Sequence, residues 1–146
     1  MLIATEHSLR LAYYLEEGRL VPEWANTAIR PRAMNDADEL CAVIQFASPY
    51  AHMFGPPNDE AFSGHPLAAR GLSPYAVFEV ERSSWIRSLE HMNSAHPHHR
   101  PERFATLKHY IFAFHDSTFE CVAESFSISL ASGSVWRILQ VVQNEG

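Results

Sequence analysis

The segment LKHYIFAFHDSTFECVAE, residues 107–124, constrains this chain more than any other. Two runs rich in aromatic and aliphatic residues flank Asp116-Ser117, a pair of turn formers, so the segment reads as a β-hairpin. A hairpin fixes antiparallel pairing, and its side chains alternate between two faces. With a two-residue turn, His115 faces Thr118, Ala113 faces Glu120, Ile111 faces Val122 and His109 faces Glu124. The other face carries Tyr110, Phe112 and Phe114 against Ala123, Cys121 and Phe119, which is a core surface. A four-residue turn leaves the faces unchanged, whereas a three-residue turn slips the register by one and breaks them. The hairpin thus predicts one aromatic face and one face bearing His109, His115, Glu120 and Glu124.

The rest of the chain supplies partners for that hairpin. Residues 2–5 and 9–15 read as strands, the second because Leu9, Leu11, Tyr13 and Leu15 alternate with Arg10, Ala12 and Tyr14. Glu17-Gly18-Arg19 is a turn, and residues 22–37, with two prolines, read as loop. Strands follow at 38–46 and 75–80. Ser83 or Ser84 caps a helix over about 84–94, on which Ile86, Leu89 and Met92 form one stripe. Pro101 opens one helical turn through Ala105. Phe119–Leu130 continues the hairpin, and Gly133 precedes a final strand at 135–142. Phe126, Ile128 and Leu130 share the parity of Glu120 and Glu124, so the polar face turns apolar unless a bulge near Ser125 switches it. The reading is an α+β fold and a single domain, 1–146. It has an antiparallel sheet of five or six strands, one main helix packed on it and a long ordered loop over 48–74.

Length and charge narrow the function. A chain of 146 residues, 47% of them hydrophobic, suits one packed domain. Its formal net charge of −6 argues against nucleic acid, whose phosphates require a basic face. Cys41 and Cys121 lack CxxC spacing and sit in apolar runs, as buried small hydrophobes do. No run of about 18 apolar residues suggests a membrane span, and MLIATEHSLR lacks the apolar core of a signal peptide. A cytoplasmic protein is expected.

Chemistry-bearing residues converge on the hairpin. Eight of the nine histidines lie between His52 and His115. Two imidazoles and two carboxylates on one face, His109, His115, Glu120 and Glu124, suit a divalent metal such as Zn, Fe or Mn. The same groups, His115 and Glu120 foremost, suit acid/base work in which a carboxylate orients a histidine. The plainer reading is a wet sheet face with ordinary cross-strand pairs. The loop GPPNDEAFSGHPLAARGL adds Asp59, His65 and Arg70 as ligand-binding candidates, although Asn58-Asp59 equally reads as a helix cap. His96-Pro97-His98-His99 reads as a solvated loop. HExxH, GxSxG, GxGxxG and GxxxxGK[ST] are all absent, and Ser63 has Ala61 and His65 where GxSxG requires glycines.

The strings FGPPNDEAFSGHPLAARGL, SSWIRSLEHMN and FHDSTFECVA together resemble a family of short bacterial proteins without an assigned activity. That resemblance spans residues 50–125 and implies no reaction, cofactor or site residue. Two functions remain open. One is small-molecule or metal binding, by an enzyme or a simple binder, in a pocket between the 109–124 hairpin face and the 54–72 loop. The other is an accessory subunit with surface histidines and an aromatic homo-oligomer interface. The first predicts that His65 or Asp59 reaches His115 or Glu120. The second predicts hairpin residues splayed into water.

Overall fold

The computed structural model describes residues 1–5, 8–15, 39–135, 137, 138 and 140. The turn expected at Glu17-Gly18-Arg19 and the loop expected at 22–37 lie outside them. The fold is α+β, and its strands are β1 (Leu2–Ala4), β2 (Leu9–Tyr14), β3 (Leu40–Ala47), β4 (Ala51–Gly55), β5 (Val77–Val80), β6 (Lys108–Ala113), β7 (Thr118–Ala123) and β8 (Ser125–Ser132). They form two four-stranded sheets, ordered β1-β2-β3-β8 and β4-β7-β6-β5, rather than one sheet of five or six strands. Each register described is antiparallel. The helices are α1 (Ser84–Asn93) and the single turn α2 (Glu102–Ala105).

The chain divides into two compact units, Met1–Phe46 with Phe126–Gly146, and Ala47–Ser125. What reads in sequence as one strand over Phe119–Leu130 is interrupted at Glu124, where β7 of one sheet gives way to β8 of the other. The parity conflict between Glu120 and Phe126 is resolved by that change of sheet.

In the first unit, Ala12, Cys41 and Val43 pack with Val135 and Ile138 in one buried cluster. The segment expected as a final strand is helical at residues 135, 137, 138 and 140. Ser134 Oγ accepts the Arg137 amide at 3.3 Å, a capping bond, and Val135 and Ile138 recur at helical rather than strand spacing.

The second unit holds the hairpin. Its loop spans four residues, because Ala113 pairs with Thr118, Ile111 with Glu120 and His109 with Val122. The faces stand as the alternation requires. Phe112 and Phe119, both fully buried, meet edge to face with ring centroids 6.0 Å apart. Burying two such rings contributes on the order of 3–6 kcal/mol before chain entropy is counted. The opposite face is covered as well, for His109, Ile111, Ala113, Thr118 and Val122 are all buried. It is not a wet sheet surface. The long loop is shorter than expected, since residues 51–55 form β4 on the edge of β7. Helix α1 begins where expected, but its stripe is only half covered, and Met92 is 65% exposed.

Candidate functional site

Strand alternation brings His109 of β6 and Glu120 of β7 to one face as diagonal neighbours. His109 Nε2 lies 2.7 Å from Glu120 Oε2. The 54–72 loop delivers the third member, with His65 Nε2 lying 3.1 Å from Glu120 Oε1. Local chemistry shapes that delivery. Asn58 Oδ1 accepts the Ala61 amide at 3.1 Å, and Ala61 immediately precedes a 3₁₀ turn, Phe62–Gly64. Phe62 anchors the turn in the core, its ring 5.7 Å from that of His65.

The proton positions follow from the donors. The Leu67 amide donates to His65 Nδ1 at 3.1 Å, and an amide can only donate. His65 therefore carries its proton on Nε2 and gives it to Glu120. Burial pushes the Glu120 carboxyl up, but the hydrogen bonds from His109 and His65 together outweigh it, and its pKa falls below the usual value. Glu120 is thus a carboxylate at neutral pH and only accepts, so His109 Nε2 is also protonated. His109 Nδ1 lies 2.9 Å from Ser83 Oγ. Ser83 caps α1 by accepting the Ile86 amide at 3.3 Å, which leaves its own hydroxyl proton for His109.

The backbone before Ser83 is strained, because Arg82 adopts φ 52° in the left-handed region. Its carbonyl accepts from Arg87 Nη1 at 2.6 Å, which ties the turn to the helix it precedes. Trp85 stands edge-on to His109, with ring centroids 5.1 Å apart. The network opens on a cleft of about 880 Å³, whose wall includes Met53, Leu72, Phe78 and Trp85 and whose polar lining includes Arg70.

The remaining sequence candidates lie elsewhere. His115 falls in the hairpin loop, where its Nδ1 sits 2.8 Å from Asp59 Oδ2 and 3.0 Å from the Tyr75 hydroxyl. Tyr75 also donates to Asp59 Oδ2. The Asp59 amide donates to the His115 carbonyl at 2.9 Å, pinning the long loop to the hairpin tip. The Tyr75 hydrogen bond, then that of His115, holds the Asp59 carboxyl below its ordinary value. The Asp59 hydrogen bond and charge raise His115. Neither residue lines the cleft. Glu124, at the break after β7, accepts from Ser48 Oγ at 2.9 Å and borders a separate hollow of about 190 Å³.

The four residues expected as one metal set are therefore dispersed. The four-residue hairpin loop moves His115 off the paired strands and sets His109 opposite Val122 rather than Glu124. Among the described residues, no group of three or more His, Cys, Asp or Glu side chains is placed to hold a metal ion. Both contacts that favour a site are nonetheless present, His65 to Glu120 and Asp59 to His115. Sequence reasoning missed Ser83, Trp85 and Tyr75. Ser83 carries a cap signal that conceals a second use, and Tyr75 adopts φ 60°, which no local signal announces. The two cysteines are buried and free, and burial pushes the Cys121 thiol up to about 12. Comparison with protein-family models, curated proteins and solved structures finds no match to this chain.

Proposed function

We propose that this protein binds a small organic molecule in the cleft floored by His65, Glu120 and His109, with Arg70 among its polar lining. The observation that carries this reading is a hydrogen-bonded network of His65, Glu120, His109 and Ser83 whose members all line one cleft, beside apolar residues such as Leu72, Phe78 and Trp85. Pockets of roughly 300–1,000 Å³ with few, fixed polar groups are the usual form of small-molecule sites. A hairpin serving the core alone has no use for a carboxylate held by two histidines. A bound Zn, Fe or Mn ion is the less favoured ligand, because both Nε2 atoms face Glu120 with protons that a metal must first displace.

Amide and indole NMR shift mapping tests the proposal, using a panel of small aromatic and aliphatic esters, carboxylates and phosphates. Binders are expected to move the Trp85 indole and the amides of Leu67, Ser83 and Glu120 together. Shifts confined to other surfaces, or none at millimolar ligand, overturn it. Thr5→Ala, remote in sequence from the cleft residues, serves as a control and leaves the pattern unchanged.

A further inference from the structure

We propose that Ser83 is the nucleophile of an ester-cleaving site, with His109 as its base and Glu120, steadied by His65, as the group that positions the imidazole. The proposal rests on the cleft being a small-molecule site and adds the reaction. Helix capping accounts for only one of the contacts made by Ser83 Oγ, the bond from the Ile86 amide. It does not require a histidine at 2.9 Å. A hydroxyl and a base within about 2.6–3.2 Å, with the base oriented by a third group, form the arrangement that activates serine. Here the third contact is 2.7 Å, from His109 Nε2 to Glu120 Oε2. The ring is used with Nδ1 toward the hydroxyl and Nε2 toward the carboxylate. Each nitrogen then has one role, which is all the chemistry needs.

The order of the chain also singles out Ser83. Both nitrogens of His109 are engaged and the residue is 3% exposed, so it has no free nitrogen to offer a ligand. His65 is closed in the same way by the Leu67 amide and Glu120. The hydrogen-bonded relay therefore ends at Ser83 Oγ, and Ser83, only 5% exposed, lines the cleft together with the two imidazoles and Glu120. Ser84 and Trp85, the first two residues of the ten-residue α1, line the same cleft. Their amides have no intrahelical acceptor, and such donors suit a developing oxyanion.

The step balances with an ester and water as the reactants. Ser83 Oγ bonds to the acyl carbon while its proton passes to His109 Nδ1, and the resulting imidazolium is held by the Glu120 carboxylate. The bond from acyl carbon to the leaving oxygen breaks, and the Nδ1 proton goes to that oxygen, releasing an alcohol. Water then attacks the acyl-serine and gives its proton to Nδ1. The carboxylic acid departs as that proton returns to Ser83. Met53, Leu72, Phe78 and Trp85 offer an acyl group apolar contacts in a cleft whose lining also carries Arg70, Glu79, Glu81, Arg82 and Arg87.

The test is covalent labelling of the full-length protein with an alkyl fluorophosphonate, mapped by peptide mass spectrometry. This readout is preferred because surface histidines hydrolyse activated esters unspecifically. The expected result is one adduct, on Ser83. Its rate of formation should fall at least tenfold in His109→Asn and Glu120→Gln and stay unchanged in Ser88→Ala. In Glu120→Gln the pH profile of labelling should also move to lower pH, an effect that a purely structural role does not produce. Absence of a Ser83 adduct on the wild-type chain overturns the proposal, whatever the variants do. If an apolar-acyl amide still shifts the Trp85 indole in that case, the cleft remains a binding site and only the nucleophile falls. If neither label nor shift is seen, both readings fall.

Discussion

Two histidine–carboxylate clusters use the same residue types in opposite surroundings. At the cleft floor, Glu120 lies between two imidazoles whose side chains are 3% and 4% exposed. At the hairpin tip, Asp59 meets His115, whose side chain is 68% exposed. In the first, each proton has one place to go, fixed by the Leu67 amide, the carboxylate and the Ser83 hydroxyl. In the second, water reaches the His115 ring, although the Asp59 side chain is only 16% exposed, and the cluster serves to hold one loop against another. Burial turns a hydrogen-bonded pair into an obligatory one, because an abandoned donor there has no solvent to replace its partner.

The largest test of that contrast is stability. Glu120→Ala strands two buried imidazole N–H donors, at about 1–3 kcal/mol each, so a loss of about 2–6 kcal/mol is expected in urea unfolding. Asp59→Ala should shift the unfolding midpoint several-fold less, and equal losses break the comparison. Next comes Ser83→Ala, which removes a helix cap and a partner of His109, for about 1–2 kcal/mol. Ser88→Ala on the same helix should change little, as its hydroxyl only returns to the Ser84 carbonyl.

A subtler effect is the pH dependence of the exposed pair. Asp59 is lowered from 3.8, so its contribution is present above that pH and lost as pH falls through the lowered value. His115 is raised from 6.5, so its contribution is full below that pH and lost as pH rises through the raised value. The pair therefore stabilises most between pH 3.8 and 6.5. Melting temperatures of Asp59→Asn and wild type should differ most in that window, and the difference should narrow but persist above it, where the Tyr75 hydrogen bond still holds the Asp59 carboxylate. The smallest effect belongs to Glu124→Gln, which removes a charge remote from the cleft lining. NMR titration should find cleft affinity unchanged, and a marked change would place Glu124 in the site after all.

Much of the second unit was legible in the sequence. Alternation over residues 108–123 assigns Phe112 and Phe119 to one face and His109 and Glu120 to the other, whichever even-length turn closes the hairpin. Ser83 announces the helix, and Asn58 a capped turn. The companions of His109 were not legible, since His65 and Ser83 reach it through contacts separated by 55 residues from Glu120 and 26 from His109. Nothing in the local pattern encodes those distances.

The first unit repeats the lesson. Val135-Trp136-Arg137-Ile138 fits two periods in so short a run, and the expected strand gave way to helix because Ser134 caps it and Val135 and Ile138 meet the β2–β3 cluster. The change of sheet at Glu124 was visible only as a conflict of parity.

By itself, then, the sequence determined which side chains share a strand face, where the main helix starts and which aromatic residues make the hairpin core, because these depend on bond geometry over a few residues. Tertiary structure decided that His65 rather than His115 completes the Glu120 cluster, that Glu124 stands apart and that Ser83 closes the relay. Those outcomes depend on loop length, on the burial of Phe62 and on where the chain turns back on itself, which are properties of the whole fold rather than of any stretch of it.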